Sequence, residues 1–166
     1  MELDQALDPL RRVLLERESL GNPKTVAAAA VKAARAALAG GVDTPSLWEL
    51  GTLRGSDEPE ARRLLTELEQ ELWQELRLPH TFEARNRALA RYCLRDLLDG
   101  RIDPRAAARR VGYKLCPADD PDSPLLPVRE WLDRAEEEEQ HGDGPTTELM
   151  AELHDLAAQL LAGPLS

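Results

Sequence analysis

The stretch "LLDGRIDPRAAARRV", residues 97 to 111, decides how this chain folds. A helical run reaches Gly100, which tolerates the left-handed conformation that a helix end requires. Asp103 is a strong N-cap and Pro104 suits the first helical position, so a second helix opens three residues later. Ile102 can pack back on the last turn of the first helix. The stretch is therefore a helix, a corner and another helix. A looser version stands at residues 38 to 47, "LAGGVDTPSL", with Val42 in place of Ile102, Thr44 as the cap and Pro45 after it. Corners of this kind position two helices and need no ligand. The flanking helices do not match at a fixed period, so two copies do not make a solenoid.

The same grammar organises the rest of the chain. Leu3, Leu7, Leu10 and Leu14 give a first helix from about 4 to 20. "GNP" breaks it, and Pro23 opens a second that runs to Leu38 or Ala39. A short third helix carries Leu47, Trp48 and Leu50. After the break "RGSDEPEA", Asp57 and Glu60 have capping-box spacing. Ala61, Leu64, Leu65, Leu68, Leu72 and Leu76 then form the clearest apolar stripe, read as one continuous helix. Pro79 and Thr81 open a fifth, with Phe82, Leu89, Cys93 and Leu97. The sixth starts at Asp103 and carries Ala107, Val111 and Leu115. "CPADDPDSPLLP", with four prolines in twelve residues, is a loop. Helices from Pro127 to about Gln140 and from Thr146 to Ala162 follow, separated by "HGDG". The expectation is an all-α fold, an irregular bundle of about seven to eight helices in a single domain over 1–166, with flexible loops at 116–126 and 141–145.

Composition agrees with that class. Leu (30) and Ala (23) dominate the 166 residues, against seven Ile and Val together. β-branched residues favour pleated surfaces, so the balance favours helices. With aromatics at only 4 %, the core should be leucine against alanine. No apolar run reaches the length of a membrane span, and Lys32 and Arg35 interrupt the Ala-rich segment 26–39. Two cysteines are too few for a disulfide framework and no secretory leader precedes them, so a cytoplasmic location is expected.

The formal net charge is −10, which speaks against a basic coat for nucleic acid. The charge is unevenly placed. Residues 85–114 hold nine Arg or Lys and three Asp, a net of +6, whereas residues 118–166 have a net of −11. Arg87, Arg91 and Arg95 repeat at four-residue spacing, placing three guanidinium groups on one helix face. Arg101, Arg105 and Arg109 continue that spacing across the corner, with Arg110 beside them. Such faces bind phosphate or carboxylate groups in forked pairs. The run Glu136–Glu139 and the acidic Asp119–Asp122 lie in the same chain, so internal pairing is the first expectation, ahead of an acidic protein partner and of nucleic acid. The helix "PRAAARRVGYKL" offers no Asn, Gln, Ser or Thr, which makes it a weak base reader.

Other chemistry finds little support. Glu138 and His141 have E-x-x-H spacing, but di-iron bundles need a second such motif, and His154 has Ala151 three residues before it. Cys93, Cys116 and His80 lack zinc spacing. Cys93 belongs to a core face; Cys116, at a helix end before Pro117, could be a reactive thiol but has no sequence partner. Neither a phosphate loop nor a G-x-S-x-G elbow is present. Trp48, Trp73 and Trp131 are spaced as packing anchors, and any exposed one would be a natural binding hot spot. No catalytic, cofactor or metal set emerges.

The pairing of "GVDTPSLWELGTL" with "DGRIDPRAAARRV" in an Arg- and Ala-rich chain resembles small uncharacterised all-helical proteins of high-GC actinobacteria. The likeness covers residues 26 to 112 and rests on helix caps, so it carries over no activity and no functional residue. By fold-level analogy, compact acidic helical proteins of bacteria serve as immunity or accessory partners in conflict systems. The expected function is a non-enzymatic protein-interaction module of accessory, adaptor or immunity type, without a cofactor. A regulator touching nucleic acid through Arg87, Arg91, Arg95, Arg105 and Arg109 is the first alternative, and a small enzyme with scattered catalytic groups the second.

Overall fold

A computed structural model describes residues 2–19, 21–54, 57–142 and 144–165. Among them are nine α-helices, one π-helical turn and no strand, so the fold is the expected all-α class. The chain groups into two compact units, Met1–His80 and Thr81–Ser166. No boundary is legible there in the sequence, because only the five residues 77–81 separate two helices.

In the first unit, α1 (Leu3–Ser19), α2 (Pro23–Ala39), α3 (Pro45–Thr52), α4 (Glu58–Glu71) and the single turn α5 (Trp73–Leu76) follow one another. The buried face of α2 is Ala27, Ala30, Val31, Ala33, Ala34 and Ala37. Its small side chains let α1, α3 and α4 approach closely, and leucines such as Leu7, Leu14, Leu64 and Leu68 fill the space between. Two arginines tie helix ends together. Arg11 of α1 donates from Nε to the Leu76 carbonyl (2.8 Å) and from Nη2 to that of Glu75 (3.0 Å). Arg35 of α2 donates from Nε to the Gly51 carbonyl at 2.8 Å. Terminal carbonyls that no downstream amide reaches are thus satisfied by side chains.

The apolar stripe 61–76 departs from the single helix expected of it. The backbone bends at Leu72 (φ −109°, ψ 23°), and α5 ends with Arg77 in the left-handed region at φ 48°. Leu72 and Leu76 stay buried, so the periodicity survives the bend. Arg11, 65 positions before Leu76, holds the carbonyls of this last turn, a long-range partner that local spacing does not contain.

In the second unit stand α6 (Phe82–Leu98), α7 (Pro104–Arg109), the π turn Arg110–Leu115, α8 (Leu126–Gln140) and α9 (Thr147–Ala162). Trp131 fills its centre, completely buried, with the indole N–H donating to the Leu149 carbonyl at 2.6 Å. The sixth helix was expected to run regularly through Val111 and Leu115. Instead it widens after Arg109, and the Cys116 amide donates to the Val111 carbonyl, five residues back, at 2.9 Å. Gly112 explains where. A Cβ built there would lie 3.0 Å from the Arg129 Cα and 3.2 Å from its nitrogen, so α8 presses its backbone onto the turn.

Both corners take one form, the Schellman motif. Gly41 (φ 89°) donates to the Leu38 carbonyl at 3.0 Å, and Val42 to that of Ala37 at 3.1 Å. Gly100 (φ 69°) donates to Leu97 at 3.1 Å, and Arg101 to Asp96 at 2.8 Å. Thr44 and Asp103 then cap the amides of Leu47 and Ala106 at 3.3 and 3.0 Å. The segment 116–126 is a set of turns: Asp120 accepts from the Asp122 amide (3.0 Å), and the Ser123 hydroxyl from that of Leu125 (3.3 Å). Of the second loop, Asp143 lies outside the described residues. Among the described residues, no helix is long and apolar enough to cross a membrane.

Candidate interaction surface

The arginines singled out by their spacing divide between two environments. Those on α7 are spoken for. Arg105 donates from Nη1 to Glu139 of α8 at 2.6 Å, and Arg109 pairs with Glu136 at 3.6 Å. Arg105 is the more enclosed, with its Nε and Nη2 buried and without acceptors. Arg101, on the corner, bridges Asp96 (3.4 Å) and Asp99 (2.8 Å). Among the described residues, no arginine pairs with Asp119, Asp120 or Asp122.

Those on α6 are freer. Arg87 is half exposed and reaches back to Glu83, one turn earlier, at 2.5 Å. An exposed pair of this spacing contributes about 0.3–0.5 kcal/mol and leaves the guanidinium open to competition. Arg91 and Arg95, next on the same face, have no ion-pair partner among the described residues. The opposite side of the helix, with Leu89, Cys93 and Leu97, is buried. The helix therefore anchors itself through its apolar face and presents a stripe of three arginines on the other. Eight residues from Arg87 to Arg95 span about 12 Å at 1.5 Å per residue.

Tyr113 joins the α7–α8 array. Its hydroxyl lies 3.0 Å from Asp133 and 2.9 Å from Glu136, and the Arg129 guanidinium carbon is 5.9 Å from the ring centre. Desolvation, with the two carboxylates beside it, pushes its pKa up to about 12. A phenolate between two carboxylates is unfavourable, so the hydroxyl stays protonated and donates.

The tryptophans correct the expectation that all three anchor packing. Only Trp131 does. Trp48 is 56 % exposed, its indole N–H held by Asp43 at 2.7 Å, and Trp73 is 49 % exposed beside His80, ring centres 5.2 Å apart. Spacing puts a residue on a helix; it does not say whether a neighbour covers that face. Cys93 and Cys116 are both buried, and the Cys116 sulfur lies 3.7 Å from the Ser123 hydroxyl, which removes it from solvent. The Glu138–His141 pair is used locally. Glu138 accepts from the Thr146 amide (3.3 Å), and the His141 Nδ1 is 2.7 Å from the Glu137 carbonyl. Among the described residues, no three His, Cys, Asp or Glu side chains come together as a metal site.

No protein-family model, no curated protein and no solved structure matches this chain.

Proposed function

We propose that this chain is a cytoplasmic, non-enzymatic protein-interaction module, of accessory, adaptor or immunity type, and that it engages an acidic partner through the exposed arginine face of α6. One observation carries the reading: Arg91 and Arg95 stand without carboxylate partners, while Arg101, Arg105 and Arg109 are already neutralised within the chain. An uncompensated stripe on an otherwise acidic molecule gives a partner both direction and register, and complementary charge raises the encounter rate. Nucleic acid also offers a row of anions, but its uniform charge meets the surrounding net charge of −10 along its whole length, whereas an acidic patch on a protein can be confined to the stripe.

The test is affinity capture of the tagged chain from native lysate at moderate salt with nuclease, beside the double variant Arg91→Glu/Arg95→Glu. A stoichiometric protein captured by the natural chain and lost with the variant supports the proposal. Material that disappears on nuclease treatment turns it toward nucleic acid. A partner retained equally by both chains removes the α6 face from consideration.

A further inference from the structure

The carboxylates of α8 fall on two sides. Facing α7 and the π turn, Asp133, Glu136 and Glu139 are each engaged by Tyr113, Arg109 or Arg105. Facing α9, Glu130 joins Glu148, Glu152 and Asp155 around an open groove of about 650 Å³. Arg134 spans this groove and closes on Glu152 with two bonds, 3.0 and 2.5 Å. That surface bridge links α8 to α9 and keeps the Glu152 carboxyl below its usual range. It also consumes the one cation lining the groove. Glu130, Glu148 and Asp155 are exposed and have no ion-pair partner among the described residues. Leu156 and Ala151 supply an apolar floor.

The groove is an open, shallow trough between two helices, and its free carboxylates form a row. Seven residues separate Glu148 from Asp155, about 10 Å along α9. The two unpaired arginines of α6, Arg91 and Arg95, about 6 Å apart along the helix, fit within that row and oppose it in sign. Leu98, 39 % exposed, continues the stripe as an apolar end that could meet Leu156.

We infer that the partner of the α6 face is a second copy of this chain, whose α8–α9 groove receives Arg91 and Arg95. This rests on the reading of α6 as a docking face. Face and groove are different surfaces, so the contact is heterologous: each added copy presents a new free groove or face, and assembly proceeds head to tail. The net charge of −10 sets a general repulsion against this local attraction, so the association is of moderate strength and grows with protein concentration.

Sedimentation velocity of the full chain over a concentration series tests it, at about 50 mM and about 500 mM salt. Expected at low salt is a mass that climbs above the monomer with concentration, with affinity at least about tenfold weaker at high salt. The face variant Arg91→Glu/Arg95→Glu and the groove variant Glu148→Gln/Asp155→Asn, which removes charge without reversing it, should each be monomeric alone. Mixed, they should give a one-to-one dimer and nothing larger, because one intact face and one intact groove remain between them. All four positions are on the surface, and unchanged circular dichroism melting verifies that both variants fold. A natural chain that stays monomeric at low salt overturns the inference, as does a mixture that fails to dimerise. If the natural chain is monomeric yet captures a protein that the face variant loses, self-association falls and the docking face stands.

Discussion

The α2–α3 and α6–α7 corners share a backbone and differ in what they carry. Each places a left-handed glycine, two residues and a capping side chain in the same order, with matching hydrogen bonds. In the first, the residue after the glycine is Val42, turned into the core, and Asp43 beside it holds the Trp48 indole. In the second that place belongs to Arg101, exposed and pinned by Asp96 and Asp99. The helices that follow diverge as well. α3 stays regular for its eight residues, while α7 gives way after six to the π turn. Local grammar repeats faithfully, but neighbours decide what is hung on it.

Substitutions that treat the two halves unequally should show this most clearly. Gly112→Ala sets a methyl against the Arg129 backbone at 3.0 Å, where nothing yields easily. It should cost about 1–3 kcal/mol, read as a lowered denaturation midpoint. Gly51→Ala meets the Leu38 Cδ1 at the same 3.0 Å, but that atom is a side-chain tip. Helix propensity favours alanine by about 1 kcal/mol, so the change should be near neutral. Equal losses at both sites would mean that the π turn and α8 are less closely apposed than described.

The corner glycines should then behave alike. A Cβ at Gly41 or Gly100 meets nothing within 4 Å, so only the backbone conformation resists it. Gly41→Ala and Gly100→Ala should each cost about 1–2 kcal/mol in chemical denaturation. A large disparity would show that one corner is held by its surroundings rather than by its own geometry. Smaller still are the caps: Thr44→Ala and Asp103→Ala should each lose about 1 kcal/mol, with hydrogen exchange rising first in the opening turns of α3 and α7.

The least perturbing test is titration. Of the two tyrosines, Tyr113 should ionise near 12 by ultraviolet absorbance, and Tyr113→Phe should remove that step. Its folded pKa is raised above the free value of about 10, so its contribution to stability is complete below pH 10 and fades as pH rises toward 12. Ionisation near 10 would mean that Asp133 and Glu136 do not hold the hydroxyl.

Legibility in the sequence follows the range of the forces involved. Caps, prolines at helix starts and leucine stripes act within a turn or two, so both corners and nearly every helix could be read directly. The bend at Leu72 and the π turn could not, because Arg11 and Arg129, which shape them, are distant in the chain. Arginine is ambiguous for the same reason. Its abundance reads as a habit of composition, yet Arg11 and Arg35 close helix ends across the first unit, while Arg91 and Arg95 have no such duty. The spacing of the arginines on α6 and α7 was visible; that Arg105 and Arg109 are paired while Arg91 and Arg95 are not depended on Glu139 and Glu136 arriving from α8. The openness of Trp48 and Trp73 was hidden likewise, since burial belongs to a pair of surfaces.

The π turn also works as a vernier. Arg105, Arg109 and Tyr113 are spaced by four along one helix, and their partners Glu139, Glu136 and Asp133 by three along the other. In a uniform α-helix each step of four overshoots a full turn by about 40°, so a third contact would swing off the line of the first two. A wider turn beginning at Arg110 undershoots instead and brings Tyr113 back. Uniform α winding over the same four-residue step would carry that third rung away from α8. The extra residue is thus a register adjustment that keeps two unequal rulers in step for one notch longer.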